Sequence, residues 1–183
     1  KPYFLLAAAA MAVAAGYQPA AGAADAADAA SRAGSRLPPF AAELAQQAPI
    51  TGPSAWPKMS EEDAWRRLAT AVPSARQQAR FDYARSLIRR ERGAEALAVL
   101  DVMQSDDPDL GLVDQYRLAR GAALVQLNRV EDASAMLSSG SLARNAEACI
   151  WRMRALAQAG MAEQALQQIP CAAPAFEGRP LPY

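Results

Sequence analysis

Between Ser60 and Ala173 the apolar residues recur at intervals of three and four, the spacing of one face of an α-helix. Ser60 stands before Glu61, Glu62 and Asp63, an N-cap followed by acids that suit the positive end of a helix dipole. Ala64, Trp65, Leu68, Ala69 and Val72 then share a face until Pro73, and Ser74 is placed to cap the next helix. That helix is predicted over 75–91, with Ala79, Tyr83, Ala84, Leu87 and Ile88 as its apolar stripe. Gly93 permits a tight turn into a helix over 94–104, where Ala96, Leu97, Leu100 and Met103 fall together before Asp106-Asp107-Pro108 stops it. The pattern then predicts helices over 112–127 and 131–138 around a turn at Asn128-Arg129. It predicts another pair over 143–159 and 162–169 around Gly160, stopped by Pro170. Nowhere do apolar and polar residues alternate over a run of β-formers. The predicted fold class is all-α.

Three of these pairs share an internal ruler. Leu87, Leu124 and Leu156 sit late in each first helix, and Ala96, Ala133 and Ala165 lie nine residues later, early in each second helix. Leu100, Leu137 and Ile169 follow four residues beyond the alanines. The alanines are 37 and 32 residues apart, a period that predicts stacked helix pairs, an α-solenoid. A small residue is required where two helices cross closely, and larger neighbours fill the flanks. Asp63-Ala64 and Leu68 mimic the start of one more second helix, with prolines where its partner belongs, so Glu61 onward is read as an N-terminal capping helix.

This arrangement resembles the tetratricopeptide repeat family over roughly 75–172. Ala84 and Gly121 match the family's small position in the first helix, and Pro108 matches its terminal proline; Met153 departs from the pattern, and the family's early tryptophan is missing. The resemblance implies about three antiparallel helix pairs whose first helices line a concave, partner-binding surface. Carried over position by position, that wall comprises Gln78, Phe81, Arg85 and Arg89, then Gln115, Leu118 and Gln126, then Glu147, Ile150, Arg154 and Gln158. Arginines and glutamines there suit the backbone or carboxylates of an extended protein segment. The lysines and asparagines with which some relatives clamp a C-terminal carboxylate are absent, so that ligand is not transferred.

The first 59 residues read differently. Lys1 precedes an apolar run of about a dozen residues, and Ala21-Gly22-Ala23 offers a small-residue cleavage site; 1–23 is expected to be a signal peptide, or an apolar anchor if uncleaved. The run falls short of the about 20 apolar residues of a membrane span. Residues 24–59 form an Ala/Pro-rich linker broken by Pro38, Pro39, Pro49, Pro53 and Pro57, with room for two helical turns over 40–47. It is expected to be mobile or to lie as a strap over the helical domain (60–173) through Phe40, Leu44 and Trp56. Residues 174–183 read as a C-terminal tail.

Composition narrows the chemistry. The 183 residues contain no histidine, which removes Ser-His-Asp and Cys-His nucleophiles and His-containing zinc sites. Neither a GxxxxGK[ST] nor a GxGxxG loop is present, so no phosphate cradle and no cofactor are expected. Nineteen basic residues balance nineteen acidic ones, against a dedicated nucleic-acid binder. Arg76, Arg80, Arg85, Arg89, Arg90 and Arg92 make one helix basic, either a solvated face or a surface for phosphate or an acidic partner. Asp106-Asp107-Pro108-Asp109 lacks the glycine and distal glutamate of a calcium loop and reads as a helix stop. Cys149 and Cys171 lie at opposite ends of the last hairpin's two helices, places that meet when the chain doubles back. They are expected to form a disulfide, the alternative being two free thiols with Cys149 buried. The functional expectation is a non-catalytic protein–protein interaction scaffold in the periplasm or envelope of a Gram-negative bacterium, touching a membrane only through an uncleaved N-terminal run. The alternative is the helical, non-catalytic region of a larger envelope enzyme such as a lytic transglycosylase.

Overall fold

The computed structural model describes residues 39–138 and 140–177. They belong to the second of two units into which the chain divides, Leu37–Tyr183; the first, Lys1–Arg36, lies outside the described residues, and the expected signal peptide lies there with it. Every regular element among the described residues is helical, so the protein is all-α. The helices are α1 (Phe40–Gln46), α2 (Glu61–Thr70), α3 (Arg76–Arg89), α4 (Gly93–Asp106) and α5 (Asp114–Gln126). They continue with α6 (Val130–Leu137), α7 (Ala146–Gln158), α8 (Ala162–Gln167) and α9 (Ile169–Phe176). Short 3-10 turns at Pro53–Ala55, Pro73–Ala75, Pro108–Leu112 and Gly140–Arg144 join some of them. From α2 to α8 each helix packs on the next, and α3, α5 and α7 also touch in succession.

Local chemistry accounts for the helix ends. The Ser60 hydroxyl accepts the Asp63 amide at 3.0 Å, an N-cap that satisfies one of the orphan donors of α2. The Ser60 hydroxyl in turn donates to the Asp63 carboxylate at 2.6 Å and holds that carboxyl below its ordinary range. Asn145 caps α7 in the same way, its Oδ1 accepting the Ala148 amide at 3.0 Å.

Three turns repeat the same geometry at the spacing of the ruler. The chain enters the left-handed region at Glu91 (φ 60°), Asn128 (φ 58°) and Gly160 (φ 75°). In each, the following amide reaches back to a leucine carbonyl: Arg92 to Leu87 at 3.0 Å, Arg129 to Leu124 at 2.9 Å and Met161 to Leu156 at 2.9 Å. This is the Schellman closure of a helix. The ruler alanines then open the next helix, their amides bound to Arg92, Arg129 and Met161 at 3.1, 3.0 and 2.9 Å. The turn expected at Gly93 is thus made by Glu91 instead. Gly93 is the first residue of α4, and a Cβ there would stand 2.7 Å from Gln126 Cβ, so the glycine serves close helix approach. Gly121 does likewise where α5 crosses α6, since an added Cβ would meet Leu137 at 2.6 Å.

Other expectations change. Pro170 does not stop the chain: a bend at Gln168 leads into α9, and Pro170 sits in its first turn, where no amide hydrogen is needed. Helical structure therefore runs through Pro174 to Phe176, past residue 173. The stripe expected on α2 is mostly exposed. Ala64 is buried, but Trp65 and Val72 remain 58% and 60% exposed, because α2 packs chiefly on α3 and ends before Val72. In the last hairpin Ile169 is exposed, unlike its counterparts Leu100 and Leu137, because no further helix pair covers it among the described residues.

Residues 39–59 lie along the helices. Phe40, Leu44, Ile50 and Trp56 are all buried and join the main core, which runs from them to Ala155. A separate small cluster, Cys149, Ile150, Ala172 and Ala175, joins α9 to α7.

Candidate functional site

Five of the residues predicted to form a partner-binding wall, Gln78, Arg85, Arg89, Gln115 and Glu147, bond to this strap. Gln115 Nε2 donates to the carbonyls of Leu44 and Gln47 at 3.0 and 2.9 Å, and Arg85 donates to that of Ala55 at 3.0 Å. Gln78 Oε1 accepts from the Gln47 side chain at 2.6 Å, and Arg89 reaches the Trp56 carbonyl at 3.5 Å, a long contact. Glu147 is buried and accepts the indole N–H of Trp56 at 2.7 Å and that of Trp151 at 3.1 Å. Phe81 and Leu118 are buried in the core, with the Arg85 guanidinium 4.9 Å from the Phe81 ring. Ile150 is buried in the small cluster under α9. Gln126 donates to the Ile88 carbonyl at 2.7 Å, joining α5 to α3. Arg154 makes a two-pronged ion pair with Glu91 at 3.0 and 2.9 Å, and Gln158 is exposed at the end of α7.

Three strap-holding residues lay outside the predicted set, the first being Arg90, which donates to the Met59 carbonyl. The Asp107 carboxylate, at the predicted helix stop, accepts the Ala41 amide at 2.8 Å and so caps α1 from across the fold. Asn145 Nδ2 donates to the Ile50 carbonyl at 2.9 Å. Most of these bonds go to the strap's backbone; the buried Phe40, Leu44, Ile50 and Trp56 side chains supply the apolar anchors. The chain thus covers much of the predicted wall with its own segment 39–59.

What stays open is a cavity of about 920 Å³ beside the end of the strap. Trp56 and Lys58 border it from the strap, Ile88, Arg89 and Glu91 from the end of α3, and Ile150, Trp151 and Arg154 from α7. Glu177 stands beyond α9 at its edge. The two indoles meet edge to face with centroids 6.2 Å apart, and the Arg154 guanidinium lies 5.6 Å from the Trp151 ring. An apolar floor under a rim of both charges suits a mixed apolar and polar ligand such as a protein segment. Of the predicted wall, Arg89, Ile150 and Arg154 line this cavity. The sequence signal for the remainder was slight: Trp56 stood out as a tryptophan among prolines, but nothing local marked Trp151 or Lys58.

The arginine-rich helix α3 is largely neutralised within the fold. Arg80 pairs with Asp106 and Arg85 with Asp82, while Arg90 and Arg92 pair with Glu61. The hydrogen bond from Arg92 holds the Glu61 carboxyl below its ordinary range. These pairs favour the solvated-face reading of the helix over an anion-binding surface. Among the described residues no group of cysteines and acids is gathered to hold a metal ion, and no helix is long and apolar enough to cross a membrane. Cys149 and Cys171 are bonded, with Cα atoms 5.8 Å apart, a bond compatible with an oxidising compartment. Compared with protein-family models, with curated proteins and with solved structures, the chain matches none.

Proposed function

We propose that the protein is a non-catalytic interaction scaffold of the bacterial envelope, a TPR-like solenoid whose open cavity receives a segment of another protein. The observation that carries the reading is the recurrence of one turn geometry at Glu91, Asn128 and Gly160. With the ruler leucines and alanines, it supports three helix pairs of common design behind a capping helix. Such repeats stack their first helices into one wall, and the contacts of α3 with α5 and of α5 with α7 support that stacking. The strap on this wall supports a mode of recognition in which side chains bind a segment's backbone while its apolar anchors enter the core. The cavity continues the same wall beyond Trp56, with Arg89 and Arg154 at its rim. The disulfide supports an oxidising location such as the periplasm.

Site-specific crosslinking tests this. A photo-reactive residue placed at Lys58 or Arg154 of the full chain is expected to capture a protein from envelope extract, and one at Leu112, 80% exposed on a 3-10 turn away from the cavity, is not. Equal capture from all three positions, or none from Lys58 and Arg154, would remove the reading.

A further inference from the structure

The Cys149–Cys171 bridge ties α9 to α7, and its surroundings are asymmetric. Cys149 is fully buried, while Cys171 is partly exposed. The Arg152 guanidinium lies 2.9 Å from Cys149 Sγ. Its other partners are neutral: it donates to the carbonyls of Leu137, Leu142 and Ala143 at 2.5, 3.0 and 2.9 Å, and to Gln168 Oε1 at 3.1 Å. Burial holds this guanidinium below its ordinary range, and no carboxylate offsets the effect. Arg152 is half-buried, and a partly desolvated cation without a counter-charge carries a cost that an anion in contact with it relieves.

Beyond the bridge, α9 is a short terminal helix that packs mainly on α7. It has eight residues, with Pro170 and Pro174 among them, and is far too short to persist alone. It joins α7 through a cluster of mostly small side chains, separate from the main core.

We infer that the Cys149–Cys171 bridge is a dithiol-reducible latch on α9, in which Cys171 is the sulfur attacked and Cys149 the thiolate released beside Arg152. A thiolate of a CxxC-type reductant attacks the accessible Cys171 Sγ, and the bond between the two cysteines breaks. Cys149 leaves with the electron pair, its negative charge facing the guanidinium; a leaving thiol of lowered pKa departs faster. The reductant's second thiolate then attacks its own sulfur in the mixed disulfide. Cys171 leaves and takes a proton from water, and the reductant departs oxidised while the protein keeps two reduced cysteines. Contact with a cation is the usual cause of a depressed thiol pKa. The other charged groups around Cys149 do not compete for this role. Glu147 accepts from the two indoles, Arg154 pairs with Glu91, and Arg144, Glu163 and Glu177 are exposed. With the bond open, only the chain itself ties α9 covalently to the rest of the fold, and Glu177 just past α9 is no longer pinned at the cavity's edge. The latch does not depend on the ligand proposed for that cavity.

The test uses the full chain and a thioredoxin-type reductant whose second cysteine is replaced by serine. The trapped adduct is expected on the peptide carrying Cys171; an adduct on Cys149 overturns the assignment. In Cys171→Ala, ultraviolet thiolate absorbance is expected to give Cys149 a midpoint at least about one pH unit below the ordinary ~8.5. A midpoint at or above ~8.5 overturns the role of Arg152. Arg152→Met is expected to raise the midpoint by at least about one unit. Should that variant not fold, Arg152→Lys, which retains the cation, is expected to keep the low midpoint, and the adduct position still decides which sulfur is attacked. Finally, reduction is expected to speed amide exchange in α9 by about tenfold or more while α3 to α6 keep their protection. Unchanged protection of α9, or unfolding of the whole unit on reduction, overturns the latch.

Discussion

Replacing Trp56 tests whether the strap belongs to the folding unit. The indole is 5% exposed, packs edge to face on Trp151 and donates to Glu147 at 2.7 Å. Trp56→Ala removes the ring and leaves a cavity, a change that costs roughly 3–5 kcal/mol in well-packed cores. Trp56→Phe keeps most of the ring and removes the N–H donor. A hydrogen bond to a carboxylate is worth about 1.5–3 kcal/mol, and Glu147 keeps its second indole, so the lower half of that range is expected. Trp65 is the control: it is 58% exposed and meets the Tyr83 ring with centroids 6.1 Å apart. Trp65→Ala is expected to cost less than about 1.5 kcal/mol. Urea unfolding of the full chain followed by far-UV circular dichroism orders the three variants. Each kcal/mol also lowers the thermal midpoint by about 2–4 °C for a unit of this size. If Trp56→Ala proves no more destabilising than Trp65→Ala, the segment 39–59 is not part of the core and the account of the occupied wall fails.

Ala133 is fully buried at the start of α6, and Ala133→Leu is expected to overpack the crossing with α5 and cost about 1–3 kcal/mol, whereas Ala135→Leu on the exposed side leaves the urea midpoint unchanged. Gly160 has φ 75° with open space around its Cα, so Gly160→Ala costs roughly 1–2 kcal/mol through the backbone alone; an unchanged melting midpoint would refute the left-handed turn. Burial raises the pKa of the Tyr116 phenol, which donates to the Leu100 carbonyl at 2.8 Å. The unfolded chain therefore ionises this tyrosine first: its contribution to stability is complete below about pH 10 and is lost as pH rises through the folded-state value. The decline in urea midpoint above about pH 10 is expected to be shallower in Tyr116→Phe than in the parent chain.

Helix class, most helix boundaries and two of the three turns are determined by the sequence because their causes are local. A cap such as Ser60 acts on an amide three residues away, and the closure at Asn128 joins residues five apart. The Leu–Ala ruler was legible for the same reason, since it marks one local turn built three times. The turn at Glu91 was misplaced onto Gly93 because glycine satisfies two demands, positive φ and close approach, and only the neighbouring α5 shows which one operates. Pro170 was misread as a stop because a proline is equally at home in a first helical turn, and the packing of α9 on α7 decides between them. The strap and the cavity depend on the tertiary structure throughout. Ala41 meets Asp107 across 66 residues of chain, Trp56 meets Glu147 across 91 and Ile50 meets Asn145 across 95. Sequence alone marked Phe40, Leu44 and Trp56 as the apolar residues through which 24–59 could lie as a strap over the helical domain. Which wall they cover, and therefore which part of it stays open, is decided only when α3, α5 and α7 stand side by side, because a hydrophobic anchor carries no address until its pocket exists.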